Sequence, residues 1–206
     1  MRTLITFLLL LLVTPMLCRS QEHTKPPRSE PTPVRTEPPI RTAPVTTRTE
    51  PAPGSWIRYE SPAGRYRILL PVQPTLTTEE AATADGVRFP QYLANATSPT
   101  EVCLTAYFDQ VAGTVFNFDQ ARDGMVKAIP GTLLWEKSIS LDGHHGREFQ
   151  IAAKVEATDM IFRIRIYQVQ TRIYVLQFIS EKRLESPEIV RDSQKYFDSF
   201  TPYMAP

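Results

Sequence analysis

From residue 147 to residue 156, apolar and polar side chains alternate, and this period of two, followed by two β-rich runs up to residue 180, restricts the fold more than any other feature. Phe149, Ile151, Ala153 and Val155 fall on one side of an extended segment, with Glu148, Gln150, Lys154 and Glu156 on the other. Successive side chains of a strand point to opposite faces, so one face is buried there. Residues 160–169 and 172–180 are rich in β-branched and aromatic residues and are separated only by Gln170-Thr171, which predicts a hairpin. In that hairpin Tyr167 faces Tyr174 and Arg165 faces Leu176. One side therefore carries Arg163, Arg165, Tyr167, Arg172 and Tyr174, and the other, a core face, carries Phe162, Ile164, Ile166, Ile173, Val175 and Ile179.

The rest of residues 56–206 supplies partners for these strands. Residues 65–71 read as a short strand entered through the turn-forming Pro62-Ala63-Gly64 and stopped by Pro71. Residues 76–84 and 87–96 flank Asp85-Gly86 as a polar, edge-like hairpin, and residues 102–109 follow as a further strand. Asn117 caps a helix whose Phe118, Ala121, Met125, Ala128 and Ile129 share one side before Pro130-Gly131. Leu133, Trp135, Ile139 and Leu141 alternate along another strand, apart from Lys137, and Asp142-Gly143-His144-His145-Gly146 is the turn expected to follow it. Ser186-Pro187-Glu188 opens a last helix, with Ile189, Ser193, Tyr196, Phe197 and Phe200 as its inward stripe. The expected fold class is α+β: a mainly antiparallel β-sheet with helices packed on its faces.

The first fifty-five residues do not belong to that pattern. Residues 1–20 read as a secretory signal peptide, with Arg2, an apolar run over residues 4–13 interrupted by Thr6, and small residues at Cys18 and Ser20. The run falls short of the about twenty residues that a membrane span needs. Cys18 sits where a lipid-modified cysteine would stand, but Pro15-Met16-Leu17 lacks the small residues that such processing prefers. Membrane contact is expected only if the leader is retained or Cys18 is lipidated. Residues 21–55 hold nine prolines and no aromatic residue, and repeat the pattern of Arg28-Ser29-Glu30-Pro31, Arg35-Thr36-Glu37-Pro38 and Arg48-Thr49-Glu50-Pro51. Such a stretch cannot bury enough apolar surface to offset its ordering entropy, so a disordered, semi-rigid Pro/Thr/Arg-rich tether is expected, followed by one domain over residues 56–206.

Charge and cysteine content narrow the function classes. Residues 56–206 carry sixteen Lys/Arg against eighteen Asp/Glu, a formal charge of −2, which provides no basic footprint for nucleic acid. Cleavage of the leader leaves Cys103 as the sole cysteine, so packing rather than an intrachain disulfide must hold the domain together. Its strand setting suits a small apolar filler.

The opening Pro62-Ala63-Gly64-Arg65-Tyr66-Arg67-Ile68, the stretch Leu141-Asp142-Gly143-His144-His145-Gly146-Arg147-Glu148-Phe149, the pair Arg165-Ile166-Tyr167 and Arg172-Ile173-Tyr174, and the terminal Phe197-Asp198-Ser199-Phe200 resemble small exported bacterial domains. Those domains are similar to the PsbP-like α-β-α sandwich. The resemblance spans about residues 56–202 and implies an accessory or binding protein beside larger assemblies, with no shared catalytic constellation.

Two clusters are candidates for chemistry. His144 and His145, with Arg147 and Glu148 close by, are the nearest approach to a metal or hydrolase site, yet consecutive side chains diverge on a strand while zinc needs three or four converging ligands. The expectation is therefore no metal and no cofactor. Arg163, Arg165, Tyr167, Arg172 and Tyr174 form a side suited to an anionic or aromatic ligand, or to arginine stems lying on apolar surface with their heads in water. No Gly-x-Ser-x-Gly elbow, Cys/His pair or phosphate-binding glycine loop is found. The sequence thus predicts an exported, periplasmic or extracellular, non-catalytic domain that binds an envelope protein or a small ligand. The alternatives are an enzyme centred on the His144/His145 turn and a structural module on a spacer.

Overall fold

The computed structural model describes residues 56–82 and 86–203. The signal peptide, Cys18, the tether and Asp85 lie outside the described residues. Seven strands form one sheet: β3 (Thr75–Ala82), β4 (Arg88–Thr97), β5 (Glu101–Asp109), β6 (Thr132–Leu141), β7 (His144–Val155), β8 (Thr158–Val169) and β9 (Arg172–Glu181). Their order is β3-β4-β5-β9-β8-β7-β6, and every pairing is antiparallel. A second sheet, in the order β1-β2-β10, joins β1 (Ile57–Ser61), β2 (Tyr66–Leu70) and the two-residue β10 (Thr201–Pro202). The result is an α+β fold, mostly antiparallel sheet with two described α-helices.

Local chemistry accounts for the element ends. The first helix, α1 (Phe118–Ala128), starts where the Asn117 side chain accepts from the backbone N–H groups of Asp119 and Gln120. The second, α2 (Pro187–Asp198), starts where Ser186 Oγ accepts from Ile189 N–H at 3.3 Å, with proline in the first turn, where its missing N–H costs nothing. The β6–β7 turn is shorter than expected: Asp142 and Gly143 alone make it, with positive φ of 50° and 82°, and His144, His145 and Gly146 pair with β6 as the start of β7. Gln170 also adopts a positive φ of 56°, while the Gln110 backbone N–H donates to Thr171 O at 2.7 Å and fastens the β8–β9 turn to the end of β5.

The hairpin register makes Tyr167 oppose Tyr174 and Arg165 oppose Leu176. One core cluster gathers Leu104, Ala106, Phe149, Ile151, Ile164, Ile166 and Val175 with Met125 of α1. The other gathers Cys103, Tyr107, Tyr167, Tyr174, Leu176 and Phe178 with Tyr66, Ile68 and Leu70 of β2, Ile189, Tyr196 and Phe197 of α2, and Phe200. Cys103 has no exposed surface, and burial pushes its thiol well above the ordinary value, which suppresses the reactive thiolate.

Two features depart from the expected elements. The register of β6 shifts between Leu133 and Trp135, so Leu133 pairs with Ile151 and Trp135 with Gln150. This β-bulge puts the two side chains on opposite faces, whereas simple alternation puts them on one. Trp135 Nε1 instead donates to Gln150 Oε1 at 2.8 Å on the outer face. The second sheet, beyond β2, has no periodic signal in the sequence. Its outer members are short, and β10 pairs with residues about 130 positions away in sequence, Thr201 with Arg67 and Pro202 with Tyr66.

Candidate functional site

The five predicted Arg/Tyr residues lie on one face of the large sheet, and each is engaged within the fold. Arg172 clamps Asp109 with two parallel bonds, Nε to Oδ1 and Nη2 to Oδ2, both 2.8 Å. Its third bond runs from Nη1 to Ala63 O at 2.8 Å, and its guanidinium lies 4.9 Å from the Tyr107 ring centroid. The hydrogen bonds from Arg172 hold the Asp109 carboxyl below its ordinary range. Tyr174 donates its hydroxyl to Gly64 O at 2.8 Å. Tyr167 stacks on Phe200, with centroids 5.9 Å apart and planes 6° from parallel. Arg165 lies 4.8 Å from the Phe197 ring centroid and donates to Glu148 at 3.0 Å and Asp198 at 2.9 Å. Arg163 pairs with Glu185 and donates to Ser180 Oγ at 3.3 Å. Arg165 and Arg172 thus lie against aromatic rings, and all three arginines set their heads on carboxylates.

The histidine cluster is divided by the pleat of β7. Its partners alternate in register, Leu141 with His144 and Ser140 with His145, so the two imidazoles leave on opposite faces, one half-buried and one exposed. Arg147 reaches Asp119 of α1 at 3.1 Å and Glu136 of β6 at 3.2 Å. Glu148, on the other face, bridges Arg165 and Lys137, the latter at 3.4 Å. Arg122 joins the first of these networks through Glu136, whose carboxyl its hydrogen bond holds below the ordinary range. Among the described residues no group of three or more His, Cys, Asp or Glu is placed to hold a metal ion.

An open cleft of about 250 Å³ lies between the end of β1 and the outer strands β3 and β4. Tyr59, Ser61, Ala63 and Tyr66 form one wall, Leu76, Thr78, Tyr92 and Ala94 the other, and Tyr107 the floor between them. Tyr92 stacks on Tyr107 with centroids 4.9 Å apart and planes 17° from parallel. Tyr66 meets Tyr107 edge-on at 6.3 Å and lies tilted at 58° to Tyr59 at 6.1 Å. Leu76 is 62% exposed and Tyr92 39%. Burial raises the phenol pKa of Tyr59, Tyr66 and Tyr107, so these hydroxyls are neutral donors and acceptors rather than bases.

The wall built from residues 61–66 depends on close approach. A Cβ on Gly64 would stand 2.6 Å from Ser61 Oγ, 2.6 Å from the Tyr66 ring and 2.8 Å from the Tyr107 ring. The Gly64 N–H donates to Ser61 Oγ at 3.1 Å, and the Tyr203 N–H donates to Arg65 O at 2.9 Å. Arg172 and Tyr174 thus hold the cleft from behind, through Ala63 O and Gly64 O. Sequence reasoning missed this cleft because its tyrosines come from four separate strands with no common period. The one local signal was the turn Pro62-Ala63-Gly64, which by itself marks only the entry to a strand. Chemically the cleft offers flat aromatic area and small hydroxyls, and among the described residues no carboxylate or imidazole lines it.

No family model and no curated protein matches the chain. Among solved structures, the solution structure of cyanobacterial PsbP (CyanoP) from Synechocystis sp. PCC 6803 is similar, with a TM-score of 0.54 at 11% identity, covering 73% of this chain and 94% of that one. A Pseudomonas aeruginosa protein of unknown function, PA94, described as a putative regulator, superposes with a TM-score of 0.43 at 9% identity, covering 74% of this chain and all of that one. The Ran-binding protein Mog1p of Saccharomyces cerevisiae gives 0.45 at 11% identity, covering 72% and 95%. The first of these likenesses supports the PsbP-like fold and, at that identity, the fold alone.

Proposed function

We propose that this chain is an exported, non-catalytic accessory domain of the bacterial envelope that binds a protein partner or a small ligand through the tyrosine cleft. The observation that carries this reading is the contrast between committed and uncommitted surface. On the Arg/Tyr face Arg163, Arg165, Arg172 and Tyr174 are tied to carboxylates and carbonyls, whereas Leu76 and Tyr92 expose apolar area beside a recess lined by three further tyrosines. Concave, mostly apolar recesses with a few hydroxyls are where small ligands and partner side chains are bound. In this reading Arg172 and Tyr174 are positioning residues that hold the wall of residues 61–66, while Arg163, Arg165 and Tyr167 brace α2 and Phe200 beside it. Export is supported by the leader at residues 1–20 and the tether at 21–55.

Ligand-dependent stabilisation of the purified chain tests the reading. A ligand present at a hundred times its Kd adds about 2.7 kcal/mol to stability and raises Tm accordingly. The expected result is a rise for at least one aromatic or apolar ligand, or for a purified envelope protein, that disappears in Tyr92→Ala when each protein is read against its own unliganded Tm, which the lost Tyr107 stacking lowers in the variant. A rise that persists unchanged in Tyr92→Ala, or none with any envelope component, removes the cleft from the proposal. Intact mass of the protein from its native host tests export, since a chain beginning at Gln21 is expected and a full-length chain in the cytosol would refute it.

A further inference from the structure

Two tyrosines of the cleft differ from those of the surrounding core in where their phenol protons go. Tyr174 donates to Gly64 O and Tyr196 to Leu104 O, both at 2.8 Å, and Tyr203 donates to Ser61 O at 3.2 Å. The hydroxyls of Tyr92 and Tyr107 have no hydrogen-bond partner among the described residues. Tyr107 is 7% exposed, and the part of it that solvent reaches includes the hydroxyl, because among the described residues Thr77 Oγ1 alone is both sealed and unpartnered. A phenol carries one donor, so each of these two hydroxyls needs an acceptor from water or from a ligand.

Three properties of the recess select its ligand. Tyr92, Tyr107, Tyr66 and Tyr59 follow one another with ring centroids 4.9, 6.3 and 6.1 Å apart, a run of aromatic surface on which flat apolar rings can lie. The two unpartnered donors call for carbonyl oxygens. No charged side chain lines the recess, so the matching surface is neutral, and a peptide N–H brought into it would find no carboxylate to bond. A proline-rich segment meets all three conditions. Its pyrrolidine rings are compact and apolar, proline has no N–H to satisfy, and a polyproline II helix makes no internal hydrogen bonds, so every carbonyl stays available. Because the cleft, of about 250 Å³, is open, a chain can lie across it without being enclosed. Grooves lined by aromatic residues take proline-rich segments by this chemistry.

We propose that the tyrosine cleft binds a proline-rich segment of a partner protein in the polyproline II conformation, its prolyl rings on the tyrosine faces and its carbonyls accepting from Tyr92 and Tyr107. This rests on the reading of the cleft as a binding site and names its ligand. Tyr92, 39% exposed, presents the outermost face. Tyr107 is held ready between the Tyr92 ring and the Arg172 guanidinium, which lies 4.9 Å from its centroid. A donor already fixed in place and a ligand already extended both reduce the ordering that binding requires.

Calorimetric titration of the full chain with an acetylated, amidated decaproline tests the proposal, with a glycine-serine peptide of equal length as the control. Saturable binding is expected for decaproline and none for the control. Tyr92→Phe and Tyr107→Phe keep the rings and remove only the donors, so each should raise Kd by about fivefold while the fold is preserved. Tyr92→Ala removes a stacking face as well and should raise it by at least about tenfold. Absence of saturable binding at millimolar decaproline, equal binding of the control, or an unchanged Kd in both phenylalanine variants overturns the proposal. So does concentration-dependent association of the chain alone that decaproline reverses, because the occupant is then a second copy. If decaproline fails while another ligand still stabilises the chain through Tyr92, the ligand class falls and the cleft stands. If no ligand's effect depends on Tyr92, the reading of the cleft falls as well.

Discussion

Removing one oxygen atom from the interface between α2 and the large sheet should cost this domain a measurable share of its stability. Tyr196 is wholly buried, and its hydroxyl donates to Leu104 O at 2.8 Å. Thr105, also without exposed surface, places Oγ1 2.8 Å from the same hydroxyl. A phenol has a single proton, here given to the Leu104 carbonyl, so the Thr105 hydroxyl must be the donor to Tyr196. Tyr196→Phe leaves that donor buried without its acceptor and strips a bond from Leu104 O, for a loss of about 2 kcal/mol. Thr105→Val removes only the donor and should cost about 1 kcal/mol. In the double variant the stranded hydroxyl no longer exists, so the combined loss should fall about 1 kcal/mol short of the sum. Urea unfolding of the three variants, followed by tryptophan and tyrosine fluorescence, gives these values directly, and Tm should fall by about 4–8 °C for Tyr196→Phe. A Tyr196→Phe loss below about 0.5 kcal/mol, or strict additivity in the cycle, would refute the assignment of this pair as a coupled buried network.

Other outcomes follow from the same geometry. Gly64→Ala forces a methyl group into the Tyr66 and Tyr107 rings and should cost about 1–3 kcal/mol, with a changed near-UV circular dichroism spectrum. By contrast, a Cβ added at exposed Gly124 in α1 would meet nothing within 4 Å, and Gly124→Ala should stabilise by about 0.5–1 kcal/mol in the same unfolding assay. At high pH, Tyr59, Tyr66, Tyr107, Tyr167, Tyr174 and Tyr196 all have raised phenol pKa values, chiefly through burial. Their contribution is fully present below the unfolded value near 10 and is lost as pH climbs towards the folded values, so tyrosinate absorbance should rise together with unfolding above about pH 10. Smooth tyrosine titration in a chain that stays folded would contradict that. At low pH the sign reverses for Asp109, whose depressed pKa makes its contribution present above about 3.9 and lost as pH falls through the folded value; carboxyl NMR should find it titrating below the ordinary aspartate range, and Arg172→Met should return it there.

Much of the architecture could be read from local chemistry because a strand pleat and a helix cap act over two to four residues. A hairpin turn at Gln170-Thr171 between two β-rich runs was sufficient to put Arg165 opposite Leu176 and Tyr167 opposite Tyr174, and Asn117 and Ser186 marked both helix starts through hydroxyl or amide oxygens that accept from the first-turn N–H groups. Divergence of His144 and His145 followed from the same pleat. Local pattern did not reveal the bulge at Leu134, because an extra residue changes sidedness without changing composition. The partners of the arginines were equally hidden: Arg165 meets Asp198 across 33 positions and Arg172 meets Asp109 across 63. The candidate cleft was the least visible part, since Tyr59, Tyr66, Tyr92 and Tyr107 come from strands in two sheets. Sequence alone determined which residues extend, which coil and which side each presents, because those are short-range consequences of backbone sterics. Only the tertiary structure decided that the small sheet lies beside β3 and β4 and leaves a tyrosine recess between them, because that depends on which distant apolar faces pack together.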